Sequence, residues 1–486
     1  MKVLIVIPPL TRFNEEGITV KRPWTEIFRI VTPIDPLYAA TILDKHEHKV
    51  NIFDMGLYKK QRYTRLKTKI KQFRPDYLIV MSAILTFVPS QDWDAKEVFD
   101  LAGRKTIKIL TGSYATNYPE ESLKVCDYVV IGEPENAILH IIEDKPEKGI
   151  IGPLPVNINE LPLPNFKFID ERKYYKFSEV GKARYPEKSK KWRDIMVSRG
   201  CVNRCPFCCL HHLRGKQPYR RRDLVKVMKE IQQALVQGVE EIHFFDDLFA
   251  ANERQVLDFC NRLKELDLKF PWLIAQGMHV KPLTYESLKA MKETGMYRLI
   301  VSFESGNDRV LNELIHKNIK VTDCKNIIKW CHDLDIELVA MFVIGMPGET
   351  REELMDTVKL AEDDRIDYSI FSVATPMVGS ELAKIMEDKF KVTNIIRKTV
   401  GMYETEEFNE VDLGVIRAFD WNRINFSTPE KIEKYKKMFG LDDDTYELVR
   451  KYSYDIFYHY FPDYNGPKTI FELDKKYSDT VTKKEI

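Results

Sequence analysis

Apolar runs of strand length alternate with amphipathic stretches through the first 145 residues. KVLIVIP, KVNIFDM, DYLIVMSA, KILTG and YVVIGE are the strand candidates. Between them PLYAATILDKH, RYTRLKTKIKQF, QDWDAKEVFDLAG and YPEESLKVC carry apolar residues at helical spacing. Near-continuous apolar strands separated by such helices predict a parallel sheet covered on both faces, in a doubly wound α/β domain. A sheet of this kind takes ligands beyond the carboxyl ends of its strands. The residues at those ends are Pro8 and Pro9, Ser82, Gly112 and Ser113, and Gly132 and Glu133.

Residues 146–190 break the rhythm with GPLPVNINELPLPNF and the charged GKARYPEKSKKWR. The prolines mark a linker, and the basic run reads most simply as a solvated surface. From about residue 193 the alternation returns in six rounds: DIMVSRG, EIHFFDD, WLIAQGM, RLIVSFESG, ELVAMFVIG and YSIFSVATP, each followed by a helical pattern. Six βα units are too few for the eight of a closed barrel and suit a partial one, over residues 191–385. Residues 386–486 are helical and rich in aromatic residues, with FDWNRINF and YSYDIFYHYFPDY. Ordinary core packing is the simplest account of the aromatic run at 452–464.

Composition narrows the function classes. Lys plus Arg is 75 and Asp plus Glu 74, a net charge of +1, which points away from nucleic acid or an anionic membrane as a bulk partner. No apolar run approaches the ~20 residues of a transmembrane helix, and MKVLIVIPPL lacks the features of a signal peptide. A cytoplasmic protein is expected. In a reducing compartment, clustered cysteines are metal ligands or catalytic groups more often than disulfides.

Four of the eight cysteines fall in one stretch, CVNRCPFCCLHH at 201–212. Three readings compete. A structural zinc site usually draws two close pairs from distant parts of a chain, and no second C-x2-C occurs. A thioredoxin-type redox pair needs only Cys205 and Cys208 and leaves Cys201 unexplained. An iron–sulfur cluster held by Cys201, Cys205 and Cys208 uses all three and leaves one iron open for another ligand. Spacing alone favours the last and leaves the others open.

The surroundings of that stretch carry a resemblance. CVNRCPFC follows the first of six βα units, with Phe207 before the third cysteine. FFDDLF, VSFESGND, FVIGMPGET and ATPMVGSEL end strands two, four, five and six. This resembles the radical S-adenosylmethionine (SAM) superfamily. TGSYATNYPEESLKVCDYVVIGEPE at 111–135 and ELPLPNF at 160–166 look like its cobalamin-binding subgroup. The cobalamin fingerprint Asp-x-His-x-x-Gly is absent, which the resemblance accommodates as a cobalt without a histidine ligand.

The resemblance implies a [4Fe–4S] cluster on Cys201, Cys205 and Cys208. It implies SAM contacts from Phe207, Asp246, Asp247, Glu304, Ser305, Gly345, Pro347 and Gly348. It implies that Ser82, Gly112, Ser113 and Glu133 line the slot for the cobalamin tail. Plainer roles compete: loop packing for Phe207, a helix cap for the aspartates, turn chemistry for the glycines and serines. Cys209 reads as a buried thiol, His211 and His212 as packing, and the other four cysteines as core. Tyr219 to Arg222 reads as a solvated charge run. The implied activity is methyl transfer to an unactivated carbon of a small-molecule or natural-product-like substrate, using methylcobalamin and a 5′-deoxyadenosyl radical. A low-potential donor such as a flavodoxin or ferredoxin would supply electrons. A radical cyclase or ring-rearranging oxidoreductase is the alternative, and a cobalamin- or metal-binding sensor is the alternative from another class.

Overall fold

A computed structural model describes residues 1–8, 32–58, 61–81, 92–178, 188–390, 405 and 407–475. The chain forms two compact units. The first takes residues 1–184, 189–201 and 209–240, and the second takes 185–188, 202–208 and 241–486.

The first unit is built on six parallel strands: β1 (Lys2–Ile7), β2 (Lys49–Asp54), β3 (Tyr77–Met81), β4 (Ile107–Thr111), β5 (Tyr128–Val130) and β6 (Gly149–Ile151). Their order is β2-β1-β3-β4-β5-β6, the doubly wound pattern with its switch point between β1 and β3. Alternation explains the double cover. Val3, Ile5, Ile79 and Ile109 enter one core, while Leu4, Val6, Leu78, Val80 and Leu110 enter the other. Ser82 and Pro9 lie outside the described residues.

The sixth strand falls in the stretch that the prolines marked as a linker. Beyond it Val156, Ile158 and Leu161 pack with Tyr38 and Met196. Prolines stop regular structure here but not burial. The basic run also departs from a solvated surface at its end. Arg193 is buried and gives both Nε and Nη2 to Glu171, at 2.8 and 2.6 Å. Residues 181–187 of that run lie outside the described residues. The first unit further holds β7 (Trp192–Ile195) and a short antiparallel ribbon of β8 (Ser198–Arg199) with β9 (Arg220–Arg221).

In the second unit β10 (Glu241–Phe244), β11 (Trp272–Ile274), β12 (Met296–Glu304), β13 (Glu337–Ile344) and β14 (Tyr368–Val373) pair in parallel, each with the next. All six strands expected after residue 190 therefore form. The register slips between Ser302 and Glu304, and Glu304 adopts φ 69°, a left-handed conformation that is costly for a residue with a Cβ. Helices Glu410–Val415, Trp421–Asn425, Pro429–Phe439 and Asp443–Tyr460 follow. Core packing accounts for only part of the aromatic run at 452–464: Phe457 is buried, edge-on to Phe419 at 5.0 Å, while Tyr452, Tyr454, Tyr460, Phe461 and Tyr464 are half-buried and Tyr458 is exposed. Tyr435, also buried, sits 5.1 Å from Tyr368 of β14.

Candidate functional site

The carboxyl end of the first sheet is shaped by glycines. Gly112 turns from β4 into the helix Ser113–Asn117 with φ 109°, and Ser113 is buried there. Gly132, after β5, has φ 77° and donates its N–H to Thr116 Oγ1 at 3.1 Å. A Cβ on Gly132 would come within 3.2 Å of the Gly215 Cα. Gly215 follows the short helix Leu210–Leu213. The segment just after the cysteine stretch is thus seated on the sheet end. His212 bonds the Thr116 backbone, and burial holds its imidazole below the ordinary range. His211 is half-buried on the same helix.

Beneath this end lies a charge network that the sequence did not announce. Glu133 is fully buried, and Arg220 grips its carboxylate through Nη1 and Nη2 at 2.8 and 2.6 Å. Arg199 Nη2 reaches Glu135 at 2.5 Å and Asp35 at 3.4 Å. Arg214 stands 3.9 Å from both Glu133 and Asp35. Arg222 pairs with Glu230 at 2.7 Å, again buried. The run expected to be solvated is instead bound by carboxylates at Arg220 and Arg222. The signal was there in GEPE, whose two acidic residues follow a buried strand. Glu133, expected to face cobalamin, has both oxygens occupied by arginine.

In the second unit the cysteine stretch makes a tight turn, with Cys208 N donating to Cys205 O at 2.9 Å. Leu382 N donates to Pro206 O at 2.8 Å, which ties this turn to the segment after β14. Cys201, counted with the first unit, and Cys205, Phe207 and Cys208 are half-buried, while Cys209 is buried. No disulfide involves any of the eight cysteines. Among the described residues no three His, Cys, Asp or Glu groups are gathered as a ready metal site. The fit to a cluster rests on the donors, three half-buried thiols in C-x3-C-x2-C spacing, which suit iron–sulfur ligation.

The strand ends of this unit sort the other residues. Asp246 is buried and Asp247 half-buried after β10. The cap of helix Glu253–Glu265 is Asn252, whose side chain accepts from Gln255 N, so the aspartates do not serve as that cap. Glu304 is buried against Lys317 at 2.9 Å. Ser305 Oγ meets Thr357 Oγ1 at 3.0 Å and accepts from Asn307 N at 3.2 Å. Gly345 and Gly348 both have positive φ, 80° and 88°, on either side of Pro347. A Cβ on Gly345 would lie 2.7 Å from Leu413 Cδ1. Glu349, which sequence reasoning passed over, accepts from Gly345 N and Met346 N at 2.7 and 3.0 Å. Burial pushes its carboxyl up to about 8.

Residues 195–361, which hold the cysteine turn and β10 to β13, match the family described as the radical SAM superfamily. The chain is 28% identical to an uncharacterized methyltransferase of Pyrococcus horikoshii, over 79% of this chain and 82% of the relative. It is 26% identical to cytidylyl-2-hydroxyethylphosphonate methyltransferase of Streptomyces wedmorensis, over 88% and 92%. The fold matches that of the radical SAM methyltransferase TsrM of Kitasatospora setae at 15% identity and a TM-score of 0.63, over 84% of this chain and 79% of that one. It matches the cobalamin-dependent SAM radical enzyme OxsB at 16% identity and a TM-score of 0.65, over 93% and 71%. The architecture expected from the sequence, a doubly wound domain followed by a partial barrel and a helical region, is that of these enzymes. Among the described residues no helix is long and apolar enough to cross a membrane.

Proposed function

We propose that this chain is a cobalamin-dependent radical SAM methyltransferase that methylates an unactivated carbon of a small molecule. One observation carries the reading: a C-x3-C-x2-C turn heads a radical SAM domain, behind a doubly wound sheet, in the fold of cobalamin-dependent radical enzymes. Cys201, Cys205 and Cys208 would hold the [4Fe–4S] cluster, and the carboxyl end of the first sheet would hold cobalamin. When bound, these groups supply the electron that cleaves SAM and the carrier of the methyl group.

The chain's own residues bind and orient. Gly112, whose φ of 109° suits only glycine, lets backbone come close to a ligand at β4, and Ser113 adds a small polar wall. Glu133, gripped by Arg220, fixes the sheet end. In the barrel Gly348 would let backbone approach a flat ring, while the Cβ side of Gly345 is taken by Leu413; Phe207 would add an apolar contact. Asp246, Asp247, Glu304 and Ser305 line the same set of strand ends as polar groups for SAM. A flavodoxin or ferredoxin is the fitting electron donor and the cytoplasm the fitting compartment. The relative that matches over most of both chains and names its acceptor, cytidylyl-2-hydroxyethylphosphonate methyltransferase, supports a small-molecule acceptor over a nucleic acid.

The test is anaerobic reconstitution with iron, sulfide, cobalamin and a low-potential reductant, followed by product analysis after SAM is added. The reading expects both 5′-deoxyadenosine and S-adenosylhomocysteine. 5′-Deoxyadenosine alone would indicate a radical enzyme without methylation, and neither product a binding protein without catalysis.

A further inference from the structure

β14 stands at one edge of its sheet, so one row of its backbone groups has no strand partner among the described residues. Side chains of the helical region cover that row. Asn425 Oδ1 accepts from Ser369 N at 2.7 Å, and Asn425 Nδ2 donates to Ser369 O at 2.9 Å. Further along the strand, Arg417 Nη1 donates to Phe371 O. Arg417 lies on the same helical run as Leu413, which fills the space beside Gly345 at the carboxyl end of β13. Phe371 is itself near the carboxyl end of β14. Arg417 is therefore placed beside the strand ends of the second unit, on its open edge.

Covering an edge explains a hydrogen-bond donor here but not a charge, since Asn425 does the same with a neutral amide. Arg417 is half-buried, and burial presses its guanidinium below the usual arginine range. Arg193, Arg298 and Arg351 answer similar burial with a carboxylate, at 2.6, 2.6 and 3.0 Å. Among the described residues, the ionisable groups that bear on Arg417 are the phenols of Tyr368 and Tyr452, not carboxylates. A charge taken from water without a counter-ion is costly, and a ligand of opposite sign removes that cost. The backbone at Ile416–Asp420 is also π-helical, a form that is rare and frequent at functional sites. With one N–H holding the strand, the rest of the planar fork suits a carboxylate or a phosphoryl group.

We propose that Arg417 binds an anionic oxygen group, carboxylate or phosphoryl, on the methyl acceptor. The acceptor is then an anion held by its charged end at the open edge of β14. The inference rests on the reading of the chain as a methyltransferase. SAM carries a carboxylate of its own, so the test is made with SAM already bound.

The reconstituted full chain, saturated with SAM, is titrated calorimetrically with methylphosphonate and with acetate as probes of the two groups. Arg417→Gln keeps an N–H for Phe371 O and removes the charge, Arg417→Lys keeps the charge, and Arg417→Met serves if glutamine disturbs the fold. Wild type should bind at least one anion, the uncharged variants should bind it about tenfold more weakly or worse, and Arg417→Lys should stay within about threefold of wild type. SAM should bind all of them alike. The anion that wild type prefers identifies the group. No anion binding in wild type, or equal binding in wild type and a folded uncharged variant, overturns the assignment. Anion binding that occurs only without SAM also overturns it, because the acceptor must bind beside SAM. A wild-type protein that forms no S-adenosylhomocysteine sinks methyl transfer itself, a result separable from the others.

Discussion

The Arg199 guanidinium lies 2.5 Å from the Glu135 carboxylate, and neither side chain is exposed. Arg199 stands two residues before Cys201, so the pair anchors the entry to the cysteine stretch on the sheet of the first unit. A buried pair of this kind is worth little against an apolar replacement, but removing one partner strands the other charge. Arg199→Met or Glu135→Gln should each cost about 3–5 kcal/mol. The double change Arg199→Met with Glu135→Leu should recover part of that loss. Denaturant unfolding of the four proteins checks it, and strictly additive losses would mean that the two side chains do not act as a pair.

Cys209 is the other half of the question posed by four clustered cysteines. It is buried, while Cys201, Cys205 and Cys208 are half-buried. Cys201→Ala, Cys205→Ala or Cys208→Ala should each abolish most iron and sulfide incorporation on reconstitution. Cys209→Ala should retain it and lose only the modest stability of a small buried side chain. Iron content and the spectrum of the reduced protein read the difference. An iron-free Cys209→Ala protein would make Cys209 a ligand.

The strands of both units could be read from their apolar runs because burial on two faces leaves no alternation to misread. β6 could not, since three residues among prolines carry too little pattern. The carboxylate partners of Arg193, Arg220 and Arg222 were equally hidden. A charged residue looks the same in sequence whether water or a buried glutamate receives it, and the partner of Arg220 lies 87 positions away. The spacing of Cys201, Cys205 and Cys208 stands out in the sequence, and the positive φ of Gly345 restricts the residue type at its position.

Gly345 tests how closely the backbone after β13 must pass its neighbours. Alanine there would hold φ near 80° and bring a Cβ to 2.7 Å from Leu413 Cδ1. The conformational cost and the overpacking together should destabilise by about 2–4 kcal/mol. Leu413→Ala should relieve only the packing share in the double variant, while creating its own cavity. Thermal unfolding of the single and double variants checks the coupling, and an unchanged midpoint in Gly345→Ala would mean that the turn relaxes freely.

Glu349 sets a pH dependence with a definite sign. Its carboxyl is raised from 4.5 to about 8, chiefly by burial, while the Gly345 and Met346 amides partly oppose the rise. Below pH 4.5 both folded and unfolded chains keep the proton. As pH climbs the unfolded chain ionises first, so stability falls until the folded carboxyl also ionises near 8. Asp54 and Asp420, both raised to about 6, give slopes of the same sign that are largely complete by then. Comparing about pH 6.5 with about pH 8.5 therefore isolates most of the Glu349 contribution. Wild type should lose on the order of 1–2 kcal/mol across that interval. Glu349→Gln keeps an oxygen for both amides and cannot ionise, so its urea midpoint should fall less. Parallel losses in the two proteins would mean that Glu349 ionises in the folded chain as readily as in the unfolded one.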